Sequence, residues 1–152
     1  MREEVRKAKR LPRLRNFAVS LVRDLPAKDF HGEIARAYFF VRNRIRYTLD
    51  INGIELVQEP ELTLRLGTGD CDDKCVLLAS LLELLGHACY FCAMGFDRRP
   101  FYTHVIVLVD PANDGEELIA LDATENKWPG WYPPRSTRLM IAPMPPDDYE
   151  AA

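Results

Sequence analysis

The sequence has no run of about 18 uncharged apolar residues, so no segment of it is suited to spanning a bilayer. The opening stretch MREEVRKAKRLPRLRN also lacks an apolar core of the secretory kind, because charge recurs every one to three residues through Arg15 and again at Arg23. That pattern predicts a cytoplasmic, reducing location. The 8 glycines follow no period and no segment repeats, which excludes a fibrous or solenoid chain. Only 4 cysteines are present, and a chain of about 150 residues buries roughly two-thirds of its unfolded surface, so the core needs neither disulfides nor a structural metal. The basic residues carry no interleaved aromatics and no nucleic-acid-binding signature, so no nucleic-acid partner is expected. What remains is ordinary for one globular domain: 152 residues, 47% hydrophobic and 28% charged.

The net charge of −3 conceals an asymmetry. Residues 1–47 hold 13 Lys/Arg against 5 Asp/Glu, and the rest hold 7 against 18. A basic front third of this kind fits an anionic partner, or a charged face that packs the N-terminal helices on the rest. The expected organisation is a basic helical arm over residues 1–30, a core over 31–126 and a Pro-rich tail over 127–152.

Within the arm, Pro12 is expected to end or kink a first helical stretch, leaving Arg2–Arg10 as a solvated arm or short helix. Apolar residues at helical spacing then predict helices over Leu14–Leu25 and Glu33–Ile45. Gly53 marks a turn after Asp50, and Pro60 makes Ile54–Leu66 an irregular or short-stranded connection. The most regular signal is DCDDKCVLLASLLELL, a buried helix over Asp70–Leu85 with Asp70 as N-cap and Gly86 just past its end. Ala88–Phe96, Tyr102–Val109 and Glu117–Ala123 then read as a three-stranded antiparallel meander. The tail holds six of the 11 prolines and both tryptophans, and is expected to wrap the surface, anchored by Trp128 and Trp131.

Chemistry concentrates at Cys71. A thiol in the first turn of a buried helix sits beside unpaired backbone N–H groups and the positive end of the dipole, the setting of a nucleophile. It needs a base, and the chain has only three histidines. His31 lies at a helix start, and His87 lies at the far end of the Cys71 helix, roughly 20 Å away for about 15 residues at 1.5 Å each. His104 lies within the meander. If Pro111–Gly115 is a five-residue loop, facing residue numbers sum to 226 and His104 stands opposite Asp122, within reach of its carboxylate. Cys71, His104 and Asp122 thereby form a nucleophile, an acid–base group and an orienting carboxylate for acyl transfer through a thioester. The Cys71 backbone N–H is a first oxyanion donor, with Gln58, and less strongly Tyr47, as the second.

These residues also carry a resemblance. Gly-Asp-Cys-Asp-Asp at a helix start (Gly69–Asp73), Thr-His-Val on a strand (Thr103–Val105) and Leu-Asp-Ala on the next (Leu121–Ala123) resemble, in that order, the transglutaminase-like superfamily of papain-like thiol enzymes. The similarity covers residues 39–123 and extends to short bacterial and prophage-encoded members. It implies an α+β papain-like fold, with the N-terminal helices and the Cys71 helix packed on an antiparallel sheet, and a triad of Cys71, His104 and Asp122. The chain lacks the accessory β domains and the Gln/Trp context of the large calcium-dependent transglutaminases, so the resemblance does not carry protein crosslinking with it.

The expected activity is thus hydrolysis of an amide or isopeptide bond in a protein or peptide substrate, with amine transfer as a variant and no cofactor. The competing class is a non-catalytic interaction or assembly module, phage-related, on the same fold. Cys71, Cys75, Cys89 and Cys92 also invite a zinc reading, but Cys89 and Cys92 point to opposite faces of a strand and CYFC has no glycine for a knuckle. Asp70, Asp72 and Asp73 are cap and first-turn charges with no loop to wrap a calcium ion. Trp128 and Trp131 are either groove-lining residues or tail anchors. Oligomeric state is not legible.

Overall fold

Asp73 to Leu82 form an unbroken buried run, and a helix apolar on all sides must be enclosed by its neighbours. In the computed structural model, which describes residues 1–49, 56–98 and 100–144, this helix is α5 (Cys71–Leu84). Around it pack α1 (Arg2–Ala8), α2 (Pro12–Val22), α3 (Phe30–Arg44) and α4 (Pro60–Leu66), together with strands β3 (Ala88–Phe96) and β4 (His104–Asp110). The two-residue strands β1 (Arg46–Tyr47) and β2 (Thr68–Gly69) pair in parallel, while β5 (Ile119–Leu121) and β6 (Ser136–Pro143) complete an antiparallel sheet of order β5-β4-β3-β6.

The first helix stops at Ala8, short of Pro12, as expected, whereas the irregular or short-stranded reading at Pro60 is corrected. Pro12 and Pro60 each occupy the first turn of a helix, where the missing N–H has no partner to lose and the fixed φ suits helix entry. Segment 56–66 therefore holds a helix, not a strand, and Gly67 ends it at φ 67°. Val5 and Ala8 are 1% exposed, so the first stretch is a short helix docked on the core and not a solvated arm. The turn expected at Asp50–Gly53 lies outside the described residues.

The tail does more than wrap. Ser136–Pro143 adds β6 to the edge of β3, with Phe91 facing Ala142 and Ala93 facing Met140. Proline content obscured this strand, because the six prolines flank it or stand at its last residue, where no ladder N–H is required. Trp128 is 65% exposed and anchors nothing. Among the described residues, no helix is long and apolar enough to cross a membrane.

Candidate active site

The site is built on the start of α5. Asp70 accepts the Asp73 N–H at 3.0 Å while Asp73 accepts the Asp70 N–H at 3.2 Å, a reciprocal cap that fixes the entry to the helix. The other Asp73 oxygen takes the Gln58 N–H at 2.7 Å, tying the preceding connection to the same point. Gly69 is required here: a Cβ would stand 2.6 Å from that of Asp73. Cys71 follows as the first helical residue, partly exposed, and faces a cavity of about 470 Å³.

His104 opens β4 and lines the same cavity, together with Tyr102, Thr103 and Val105. Its Nε2 lies 2.8 Å from Asp122 Oδ2, leaving Nδ1 as the ring nitrogen without that engagement. The register that produces the contact differs from expectation. Val107 faces Leu121 and Val109 faces Ile119, so facing numbers sum to 228 and the connection is two residues longer than a Pro111–Gly115 loop. A shift of two keeps both side chains on one face and converts a facing pair into a diagonal one.

Asp122 is 1% exposed and fully engaged. Its second oxygen accepts the Thr124 N–H at 3.1 Å and the Thr124 hydroxyl at 2.6 Å. Burial pushes its carboxyl up, but the hydrogen bonds from His104 and Thr124 and the His104 charge outweigh that and hold it below the usual carboxylate range. The Tyr38 hydroxyl, from α3, lies 3.0 Å from both the Asp122 and the Lys127 carbonyl oxygens and so locks the backbone on either side of the carboxylate.

Opposing influences meet at the Cys71 thiol. Burial first, then Asp72 and Asp70, push it up to about 12, against smaller downward pulls from hydrogen bonds with the Val105 and Asp72 backbones. Desolvation and two carboxylates outweigh the helix terminus, so the resting sulfur keeps its proton. The two expected oxyanion donors sit differently. Gln58 does not line the cavity, and its side-chain oxygen accepts from the buried Thr63 hydroxyl at 3.3 Å. Tyr47 pairs with Gly69 across β1–β2, and its hydroxyl is pushed up by burial and then by Cys71, Asp70 and Asp72. Tyr47 does not line the cavity either, and that electrostatic influence is what links its hydroxyl to the sulfur.

Trp128 and Trp131 do not line the cavity either; Lys127 Nζ lies 5.4 Å from the Trp131 ring centroid. The wall expected of them comes from Met140 and Ala142 of β6 and from Met1 and Arg2. That wall was illegible because it depends on which strand takes the free edge of β3. The remaining cysteines are buried thiols: Cys75 donates to the Val105 carbonyl at 3.3 Å, Cys89 joins the main core and Cys92 a smaller cluster on the other sheet face. Among the described residues, no group of three or more His, Cys, Asp or Glu could hold a metal ion. His87, at the far end of α5, bonds Glu33 Oε2 at 2.7 Å through Nε2.

No family model and no curated protein sequence matches the chain. Solved structures do. Legionella pneumophila LapG superposes with a TM-score of 0.60 at 17% identity, covering 94% of this chain and 81% of LapG. A candidate cysteine protease from Cytophaga hutchinsonii gives 0.51 at 20% identity over 74% of this chain, and a candidate protease from Parabacteroides distasonis gives 0.56 at 12% over 71%. The chain spans only 37% and 24% of those two proteins. At these identities the likeness is one of fold, and with the helices and antiparallel sheet described above it gives the chain a papain-like, transglutaminase-like α+β architecture.

Proposed function

We propose that the protein is a thiol-dependent hydrolase of amide or isopeptide bonds in a protein or peptide substrate, working through a thioester on Cys71. The observation that carries this reading is the convergence of Cys71 and His104 on one cavity, with His104 held through Nε2 by a buried, fully hydrogen-bonded Asp122.

The chemistry follows from the resting protonation. Because the thiol is held up at about 12, the proton leaves sulfur only as His104 accepts it at Nδ1, and the imidazolium is supported by Asp122. Sulfur bonds to the carbonyl carbon, and the negative charge collects on the carbonyl oxygen. The Cys71 N–H, at the first helical position and without an intrahelical acceptor, together with the Tyr47 hydroxyl, stabilises that oxygen. His104 returns its proton to the departing amine as the C–N bond breaks. Water, deprotonated by His104, then attacks the thioester; the C–O bond forms, the C–S bond breaks, and the proton returns to sulfur. An amine in place of water would complete an acyl transfer by the same steps.

The test is a peptide library incubated with wild-type protein, Cys71→Ala and His104→Ala, with new termini read by mass spectrometry. Cleavage by the wild type alone is expected. Cleavage that persists undiminished in Cys71→Ala overturns the reading.

A further inference from the structure

A second cavity, larger than the one at Cys71, lies elsewhere among the described residues. About 680 Å³ of space opens at the opposite end of α5, between the C-terminal end of α1, the start of α2 and the turn Leu85–Ala88. The two cavities are separated by the length of the 14-residue α5, about 21 Å at 1.5 Å per residue.

Four cations line it: Arg6, Lys9, Arg10 and Arg15. Among the described residues one carboxylate lines it, Glu83, and it is occupied, accepting from Lys9 at 3.3 Å and from the Cys89 N–H at 2.9 Å. Arg6 is paired with Glu3. Arg10 and Arg15 are exposed, and among the described residues neither has an ion pair. The negative end of the α5 dipole, worth about half a charge, does not neutralise two guanidinium groups. The Asn113 amide cannot serve as a counter-group, since it is spent on the Gly86 carbonyl at 2.7 Å and the Ala88 N–H at 2.6 Å.

We propose that this basic cavity is a docking site for an acidic segment of a protein partner. A concave site favours an extended chain over a flat anionic bilayer or a duplex; among the described residues no Phe, Tyr or Trp lines it for base stacking, and its one imidazole, His87, is buried, in ring contact with Phe30 and bonded to Glu33. Cations contributed at intervals by two helices match carboxylates spaced along a peptide, and the volume far exceeds that of one inorganic phosphate. The site does not depend on the reaction proposed for Cys71, because it is read by binding.

The experiment titrates the full chain into a short fluorescein-labelled peptide of alternating Glu and Ser and follows anisotropy at low and high salt. Saturable binding that weakens with salt is expected, falling about tenfold or more in Arg10→Glu/Arg15→Glu. The charge-matched control Arg23→Glu/Lys28→Glu is expected to leave affinity within about twofold. If the double variant fails to fold by circular dichroism, Arg10→Gln/Arg15→Gln gives the same comparison. No saturable binding, or equal loss in the control, overturns the proposal. So does tighter binding, through the same two arginines, of inorganic phosphate, anionic phospholipid vesicles or duplex DNA.

Discussion

His104 and Asp122 are not facing partners in the β4–β5 ladder, yet His104 Nε2 lies 2.8 Å from Asp122 Oδ2. The contact is diagonal, just beyond the last paired residue of β5, and Tyr38 and Thr124 hold the Asp122 end of it from two other directions. Asp122→Asn is therefore expected to keep the fold while lowering amide hydrolysis about 10²- to 10⁴-fold, because the amide no longer supports a charged His104. Steady-state kinetics beside near-ultraviolet circular dichroism separates the two effects.

The same carboxyl makes stability pH-dependent. Its folded pKa lies below the unfolded value of about 3.9, so its contribution is present above that pH and lost as pH falls through the folded pKa. Urea unfolding of wild type and Asp122→Asn should differ most at neutral pH and converge below about pH 4. A constant difference across that range would remove Asp122 as the linked group.

At the alkaline end the sign reverses. The folded Cys71 thiol keeps its proton up to about 12, whereas the unfolded thiol releases it near 8.5, so stability falls as pH rises between those values. Cys71→Ser should flatten the decline in wild-type stability between about pH 9 and 11, leaving the share due to Cys75, Cys89 and Cys92 and to the Tyr38 and Tyr47 hydroxyls, which are also pushed up.

Asp72 is the charge that acts most strongly against the Cys71 thiolate, second only to burial. Asp72→Asn should lower the thiol pKa and speed iodoacetamide alkylation of Cys71 several-fold at pH 8, without changing the rates at Cys89 or Cys92, on which Asp72 does not act. Site-resolved mass spectrometry reads all four thiols at once, and an unchanged Cys71 rate would contradict the electrostatic account.

Tyr47 and Gln58 separate cleanly by kinetics. Tyr47→Phe should reduce kcat about 10- to 10³-fold with little effect on KM, as expected for a donor that acts on the oxyanion. Gln58→Ala should leave kcat near wild type. The reverse outcome would restore Gln58 to the oxyanion role.

The crowded glycine before the nucleophile offers a structural counterpart. Gly69→Ala places a Cβ against Asp73 and should cost about 1–3 kcal/mol of stability. Activity should fall as well, since Asp73 secures both the α5 cap and the Gln58 backbone. Chemical denaturation and peptide cleavage check the two parts.

Local chemistry made much of this legible from residues alone. Asp70 and Gly86 bracket α5 because caps and left-handed turns depend on a few neighbouring residues, and the apolar run between them demanded burial. Apolar stretches separated by turn residues located β3, β4 and β5, and the loop count placed His104 and Asp122 on one face, a parity that a two-residue register error does not disturb. Long-range packing decided the rest. β6 exists because β3 has a free edge, and the Cys71 thiol is neutral because burial, Asp72 and Asp70 act on it together. A sequence sets the capping, the periodicity and the residue types available at each point. Desolvation, through-space charge and the choice of strand neighbour arise only when distant segments meet, and these determine the protonation state and the walls of the cavity in which Cys71 lies.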